Sequence, residues 1–137
     1  MATDHCAPGN CAACSHHRDL IGFNQSWAGS AAALVAFVTE HTNADGKPQP
    51  TASYDTGQAA AYFTIQAQSH GLFSHQMSEF DADALAAAFE VESRFTPTTV
   101  MAIGTIGDPF ATPEHLHERE TAPRARRVAA ESVLLNA

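Results

Sequence analysis

Residues 54–80, YDTGQAAAYFTIQAQSHGLFSHQMSEF, constrain the fold more than any other stretch, because a helix with a clear end signal leads directly into a strand pattern. The helix is apolar or small on most faces, which predicts that it is buried inside the protein. Ser53 or Asp55 can cap its first turn by accepting backbone N–H bonds. We expect the helix to end at His70, whose side chain can pair with last-turn carbonyls, because Gly71 can adopt the positive φ of a helix terminus.

Two shorter elements follow this helix. Residues 72–77 alternate in side-chain type and predict a short strand, and residues 78–80 predict a loop. Asp81 is placed to cap a second helix over residues 82–91, whose larger apolar side chains share one face. This second helix should therefore lie on the surface of the core.

Two apolar runs predict buried strands. Residues 31–39, AAALVAFVT, precede the long helix, and residues 97–107, PTTVMAIGTIG, follow the second helix. The polar residues 41–51 predict a loop, and Thr112 followed by proline predicts a short helix that ends near Glu120. The order strand–helix–strand–helix–strand predicts an α+β domain with helices packed on a mixed β-sheet.

The charge of the chain limits its partners. Its 137 residues are 45% hydrophobic, enough for one domain with a real core, and its formal charge is −8. A charge of this sign argues against general nucleic-acid binding, which needs a basic surface. Four of the seven basic residues cluster near the C-terminus: Arg119, Arg124, Arg126 and Arg127. A small anion is the expected ligand of this basic site.

Membrane insertion and secretion are not predicted. The longest strongly apolar run, residues 31–38, is too short to cross a hydrocarbon core of about 30 Å as a helix. Residues 1–20 contain two aspartates and lack the apolar centre of a signal peptide. We therefore expect a cytoplasmic protein without a membrane partner.

Residues 1–19, MATDHCAPGNCAACSHHRD, differ in composition from the domain predicted over residues 20–137. Cys6, Cys11 and Cys14, with neighbouring histidines, offer ligands suited to zinc, and their spacing is similar to part of a plant-type iron–sulfur motif. Three cysteines cannot form a disulfide framework for the domain. Because large apolar side chains are almost absent, we predict a disordered or adventitiously metal-binding tail, with a structural zinc site as the alternative.

The order of short motifs along the chain resembles the C-terminal portion of the nitroreductase family of flavin-dependent oxidoreductases, from about residue 20 to residue 135. The motifs are Asn24-Gln25-Ser26-Trp27-Ala28, Tyr54-Asp55-Thr56-Gly57, Gly71-Leu72, His75-Gln76-Met77, Phe80-Asp81, Ala102-Ile103-Gly104 and Arg124-x-Arg126-Arg127. The resemblance implies an α+β fold, FMN as cofactor and a homodimer with flavin sites at the subunit interface. It also implies reduction of small nitro compounds or quinones with NAD(P)H.

The resemblance assigns the arginines near the C-terminus to the cofactor. Arg124 and Arg126 match the basic pair that contacts the FMN phosphate in this family, and Arg127 extends that pair. Guanidinium groups suit this role because they bind phosphate oxygens bidentately and stay charged at any working pH. From the residues alone, a solvated basic tail fits as well.

The resemblance also assigns the end of the second predicted strand to the flavin ring. The matching residues, whose backbone would lie near the flavin N5 edge, are Gln76, Met77, Ser78 and Glu79. A backbone donor there can stabilise charge on a reduced flavin. The family pattern has glycine where this chain has Glu79. His75 and Met77 are equally compatible with ordinary packing at a strand end.

Residues 1–19 do not match the N-terminal arm that supplies further flavin contacts in full-length members of the family. An alternative hypothesis is therefore a truncated, weakly active or inactive relative that acts as a binding or dimerisation module. Metal binding through residues 5–17 is a third hypothesis. The residues do not distinguish NADH from NADPH, and no catalytic side chain is assigned.

Overall fold

The computed structural model describes residues 23–111 and 114–133, and it divides into two compact units. The first unit ends at Ile106 and the second begins at Gly107. The predicted Cys- and His-rich segment, with Cys6, Cys11 and Cys14, lies outside the described residues.

A three-stranded sheet forms the centre of the first unit. Its strands are β1 (Ala33–Glu40), β2 (Phe73–Met77) and β3 (Phe95–Gly104), in the order β1-β3-β2. The α+β class is confirmed. Both strand pairings are antiparallel, so the mixed sheet expected from the sequence is antiparallel over the described strands. The central strand, β3, runs in the direction opposite to both of its neighbours.

The central strand is buried on both faces of the sheet. Val100 and Ala102 pack on one side with Leu85, and Met101 and Ile103 pack on the other. The prediction of a continuous buried run is therefore confirmed, although the strand spans Phe95–Gly104 rather than residues 97–107. A strand covered on both faces needs apolar residues at successive positions, which explains the absence of alternation.

The long helix, α1 (Ala52–Ser69), covers one face of the sheet but is not enclosed by it. Ala60 and Ala67 are its buried residues, whereas Tyr54, Tyr62 and Ile65 are 67%, 66% and 64% exposed. The prediction of a helix buried on most faces is wrong for the described chain. A sheet of three strands contacts one side of a helix, and the opposite side faces outwards.

The predicted end of α1 at His70 is confirmed, whereas its predicted N-terminal cap is wrong. The N-cap is Thr51, whose hydroxyl donates to Asp55 Oδ2 at 2.9 Å, and no side chain caps the backbone N–H groups, so the predicted cap at Ser53 or Asp55 is wrong. At the other end, His70 is the C-cap and its ring contacts the Gln66 side chain rather than a backbone carbonyl.

Hydroxyl groups around the buried Thr39 join α1 to the sheet. Thr39 of β1 is fully buried, and its side chain makes hydrogen bonds with Thr56 of α1 and Thr98 of β3. Thr98 lies where the register between β1 and β3 shifts, because Phe37 pairs with Thr99 while the next residue pairs with Pro97. The bulge turns the extra residue towards the helix, so the hydroxyl cluster links three elements.

Both helices of the first unit end in the same hydrogen-bond pattern. After α1, Gly71 donates to the Gln68 carbonyl and the following residue donates to Ala67, with Gly71 at φ 74°. After α2 (Ala82–Ala88), Glu90 donates to the Ala87 carbonyl, at φ 51°. These are Schellman motifs, which need a left-handed residue after the C-cap.

The second predicted helix is thus shorter than expected. Asp81 caps it as predicted, accepting a bond from the backbone of Ala84 at 2.9 Å. The helix ends at Ala88 instead of residue 91, because the left-handed Glu90 directs the chain towards β3.

An ion-pair cluster holds the start of β3 beside the end of β1. The Arg94 side chain contacts the carboxylates of Glu40 and Glu92, and it lies 4.1 Å from the centre of the Phe95 ring. The hydrogen bond from Arg94, with its positive charge, holds the pKa of Glu92 below its ordinary value. Both carboxylates lie near the surface, so solvent screens their contribution to stability.

The second unit contains one α-helix, α3 (Glu114–Thr121), in its described part. The predicted start at Thr112 and the following proline lies outside the described residues, and the end is one residue beyond the predicted Glu120. The ring of Phe110 meets His117 edge to face, 5.4 Å between centroids. Among the helices that the structure describes, none has the length and apolarity needed to cross a bilayer.

The left-handed conformation of Glu90 predicts that Glu90→Gly stabilises the protein. A left-handed residue with a side chain costs roughly 1–2 kcal/mol, while glycine adds up to about 1 kcal/mol of unfolded-state entropy. We expect a net gain of about 0.5–1 kcal/mol in the free energy of unfolding, measured by urea denaturation. Glu90→Gln is the matched control, since it removes the charge and keeps the strain. Equal stability of the two variants would show that this backbone conformation costs nothing.

Candidate functional site

The residues predicted to lie beside the flavin form the C-terminal end of β2. Met77 is 3% exposed and packs with Leu85 and Val100, whereas Gln76, Ser78 and Glu79 are exposed. The buried methionine anchors the segment to the core, so the residues on either side of it are presented at the surface. The side chain of Met77 therefore has the packing role that the sequence left open.

Backbone N–H and C=O groups at this strand end point to two opposite sides, and only one side faces β3. The Met77 carbonyl accepts a bond from Thr99 Oγ1 at 3.0 Å, so it faces β3. Successive residues of a strand direct their N–H and C=O groups to opposite sides, which turns the Gln76 groups away from β3. Because β2 is an edge strand of the described sheet, one side of its backbone has no neighbouring strand among the described residues.

Two short 3₁₀ turns before β1 support the same segment from the other side. Asn24, 8% exposed, lies in the turn Asn24–Ser26, and its side-chain amide donates to the Glu79 carbonyl at 3.3 Å. Trp27 follows, and its ring meets the exposed His75 of β2 edge to face, with 5.0 Å between centroids. Residues far apart in the chain thus hold the end of β2.

The residues after Glu79 are also held in place. Phe80 packs against the core cluster on this face of the sheet, and Asp81 is occupied as the cap of α2. The backbone of Ser78 and Glu79 is therefore fixed between an anchored strand and an anchored helix.

The predicted phosphate ligands belong to the second unit. Arg124, Arg126 and Arg127 are all exposed and lie between α3 and the 3₁₀ turn Ala129–Glu131, in a stretch without regular secondary structure. Arg126 Nη1 donates to the carbonyl of Ala125 at 3.0 Å. Three guanidinium groups within four residues form a concentrated positive site in an acidic protein.

The two residue sets belong to separate units and differ in the ligand chemistry that they offer. An outward backbone N–H at a strand edge suits an acceptor atom of the isoalloxazine ring, and exposed guanidinium groups suit a phosphate. No cluster of three or more His, Cys, Asp or Glu residues suited to a metal occurs among residues 23–111 and 114–133.

Sequence reasoning did not find the role of Asn24. The residue was recognised as part of a motif, but its partner lies 55 positions away in the chain. Asn24 is polar, and its position in the sequence between Phe23 and Trp27 did not indicate that its side chain would be buried. A buried amide that donates to a loop carbonyl can be identified once both elements are placed on the sheet.

The Asn24 contact predicts that Asn24→Ala loosens the end of β2. Removing one hydrogen bond of this kind costs about 1 kcal/mol, to be measured from urea unfolding curves. Asn24→Asp should cost more, because it places a carboxylate against the Glu79 carbonyl. Gln25→Ala, at the exposed neighbouring position, is the control and should change stability by less than about 0.5 kcal/mol. Equal effects at positions 24 and 25 would contradict an anchoring role.

Comparison with known proteins identifies relatives of this chain. An uncharacterized 15.4 kDa protein in the ask 5′ region of Mycolicibacterium smegmatis is 37% identical over 110 residues, which is 78% of this chain and 71% of the relative. The crystal structure of an oxidoreductase containing FMN superposes with a TM-score of 0.82 at 28% identity, covering 90% of this chain. This chain spans 64% of the length of that oxidoreductase.

A nitroreductase family protein from Streptococcus pneumoniae TIGR4 shares the fold, with a TM-score of 0.65 at 13% identity over 92% of this chain and 74% of that protein. The nitroreductase family as a whole matches residues 12–105, a range that includes the end of β2 and stops before the arginine cluster. Since this match covers more than half of the 137 residues, the chain belongs to the nitroreductase family.

Proposed function

We propose that the protein is an FMN-dependent oxidoreductase that reduces small electrophilic acceptors, such as nitro compounds and quinones, with NAD(P)H. The observation that carries the proposal is the end of β2, where the buried Met77 and the Asn24 bond to the Glu79 carbonyl anchor a segment whose other residues are exposed. For a nitro acceptor the overall reaction is R–NO2 + NAD(P)H + H⁺ → R–NO + NAD(P)⁺ + H2O.

The chain supplies binding and position in this proposal. FMN, when bound, supplies two-electron transfer between the nicotinamide and the acceptor. Gln76, Met77, Ser78 and Glu79 form the backbone edge that lies against the ring and donates a hydrogen bond to it. Arg124, Arg126 and Arg127 hold the phosphate. We assign no side chain as an acid or base.

A second candidate is a module that binds or dimerises without catalysis, and the outer face of α1 favours it. Flavin binding separates the two candidates. Purified protein that shows flavin absorbance after FMN titration supports the oxidoreductase, whereas protein that stays colourless supports the module.

The same face of α1 supports assembly as a homodimer. Tyr54, Tyr62 and Ile65 lie within an arc of about 80° at 100° per residue, opposite the buried Ala60 and Ala67. An exposed apolar stripe of this kind is typical of an interaction surface. A two-fold axis along the stripe would cover it with the same surface of a second copy.

The arginine assignment predicts weaker cofactor binding when the guanidinium groups are removed. Replacing Arg124 and Arg126 together with alanine should reduce FMN affinity by about 1.5–3 kcal/mol for each lost charge-assisted contact. Quenching of FMN fluorescence measures the dissociation constant. Lys47→Ala, at an exposed position in the first unit, is the control for general loss of positive charge. Unchanged affinity of the double variant would remove these residues from the site.

The α1 stripe predicts that Tyr62→Glu dissociates the dimer, because it places a charge at the centre of an apolar contact. Light scattering at micromolar concentration should report twice the 14.5 kDa chain mass for the original protein and a smaller mass for the variant. Gln49→Glu, at an exposed position in the loop before α1, adds the same charge and should leave the dimer intact. A stable monomer of the original chain would rule the dimer out.

A further inference from the structure

The carboxylate of Glu79 is attached to a backbone segment that contacts on both sides restrain. Its carbonyl is held by the buried amide of Asn24, and the next residue, Phe80, packs into the core. The Glu79 side chain itself is exposed. The charge is therefore displayed at a defined place, at the end of the strand proposed to meet the flavin.

No positive charge within the same segment compensates Glu79. Residues 73–91 include Asp81, Asp83 and Glu90 but neither lysine nor arginine. The nearest basic residue in sequence, Arg94, is paired with Glu40 and Glu92. Among the ion pairs of residues 23–111 and 114–133, none involves Glu79.

We infer that Glu79 is a specificity-determining residue that disfavours anionic electron acceptors and favours neutral or cationic ones. This inference rests on the proposed function, since it concerns the acceptor that approaches the flavin at this edge. An acceptor carrying a carboxylate meets a like charge, whereas its amide analogue does not. Two unit charges at a separation of ~8 Å in a largely aqueous setting change the relative affinity by about two- to six-fold.

The test compares two acceptors of nearly the same shape, 4-nitrobenzoate and 4-nitrobenzamide. For FMN-loaded original protein and Glu79→Gln, we would measure kcat/KM for each acceptor with NAD(P)H in low salt and in 0.15 M salt. Glu79→Gln keeps the side-chain size and the carbonyl that Asn24 holds. Glu90→Gln is the matched control, because α2, about 10 Å long at 1.5 Å per residue, separates position 90 from position 79.

A second readout is independent of turnover. The midpoint potential of the bound FMN, measured by spectroelectrochemistry, should shift in the positive direction in Glu79→Gln, because the added electrons no longer meet a nearby carboxylate. Glu90→Gln should leave the potential unchanged, since salt screens a charge at that distance.

We expect Glu79→Gln to reduce the preference for the amide over the carboxylate by about two- to six-fold, and the difference from the original protein to shrink as salt rises. A variant that binds FMN but keeps both the acceptor ratio and the potential of the original protein would overturn the role of Glu79 alone. A protein that binds no FMN would overturn the proposed function and, with it, this inference.

Discussion

The pairing of β3 with two neighbours is the constraint on which the first unit depends. Because this strand is covered on both faces and hydrogen-bonded along both edges, it places every other element of the unit. Helix α1 packs on one face, and α2 with the 3₁₀ turns packs on the other. The candidate site lies at the end of β2 because β3 fixes that strand through Thr99 and through the pocket that receives Met77.

Polar contacts fix the positions of α1 and of the loop at Glu79, which apolar packing alone does not determine. Packing alone allows a helix to slide or rotate on a sheet, since apolar contacts have little direction. The hydroxyl cluster of Thr39, Thr56 and Thr98 gives α1 a fixed position, and the Asn24 amide does the same for the loop at Glu79. Thr39 and Asn24 are themselves buried, so either side chain would carry a desolvation cost if it lost its partner.

The sequence predicted the elements better than it predicted their surroundings. The apolar run at Val100–Ile103, the cap at Asp81 and the positive φ at Gly71 are local signals, and the structure confirms each of them. The exposure of α1 could not be predicted, because small and apolar side chains do not show which face another element will cover. The Asn24 contact could not be predicted either, because its partner is distant in the chain. The candidate site region is a prediction from the family resemblance, because neither spacing nor composition points to it.

The order of the strands along the chain has a consequence for how the protein folds. Met77 of β2 pairs with Val100 of β3, whereas Ala33 of β1 pairs with Ile103 of β3. The chain segment between paired residues is therefore much longer for β1 and β3 than for β2 and β3. Loop-closure entropy grows with length, and pairings between distant residues form slowly. We therefore expect β2, α2 and β3 to associate first and β1 to join afterwards. During synthesis, β1 leaves the ribosome before its partner exists, so its apolar side chains must stay unpaired until the end of β3 has been made.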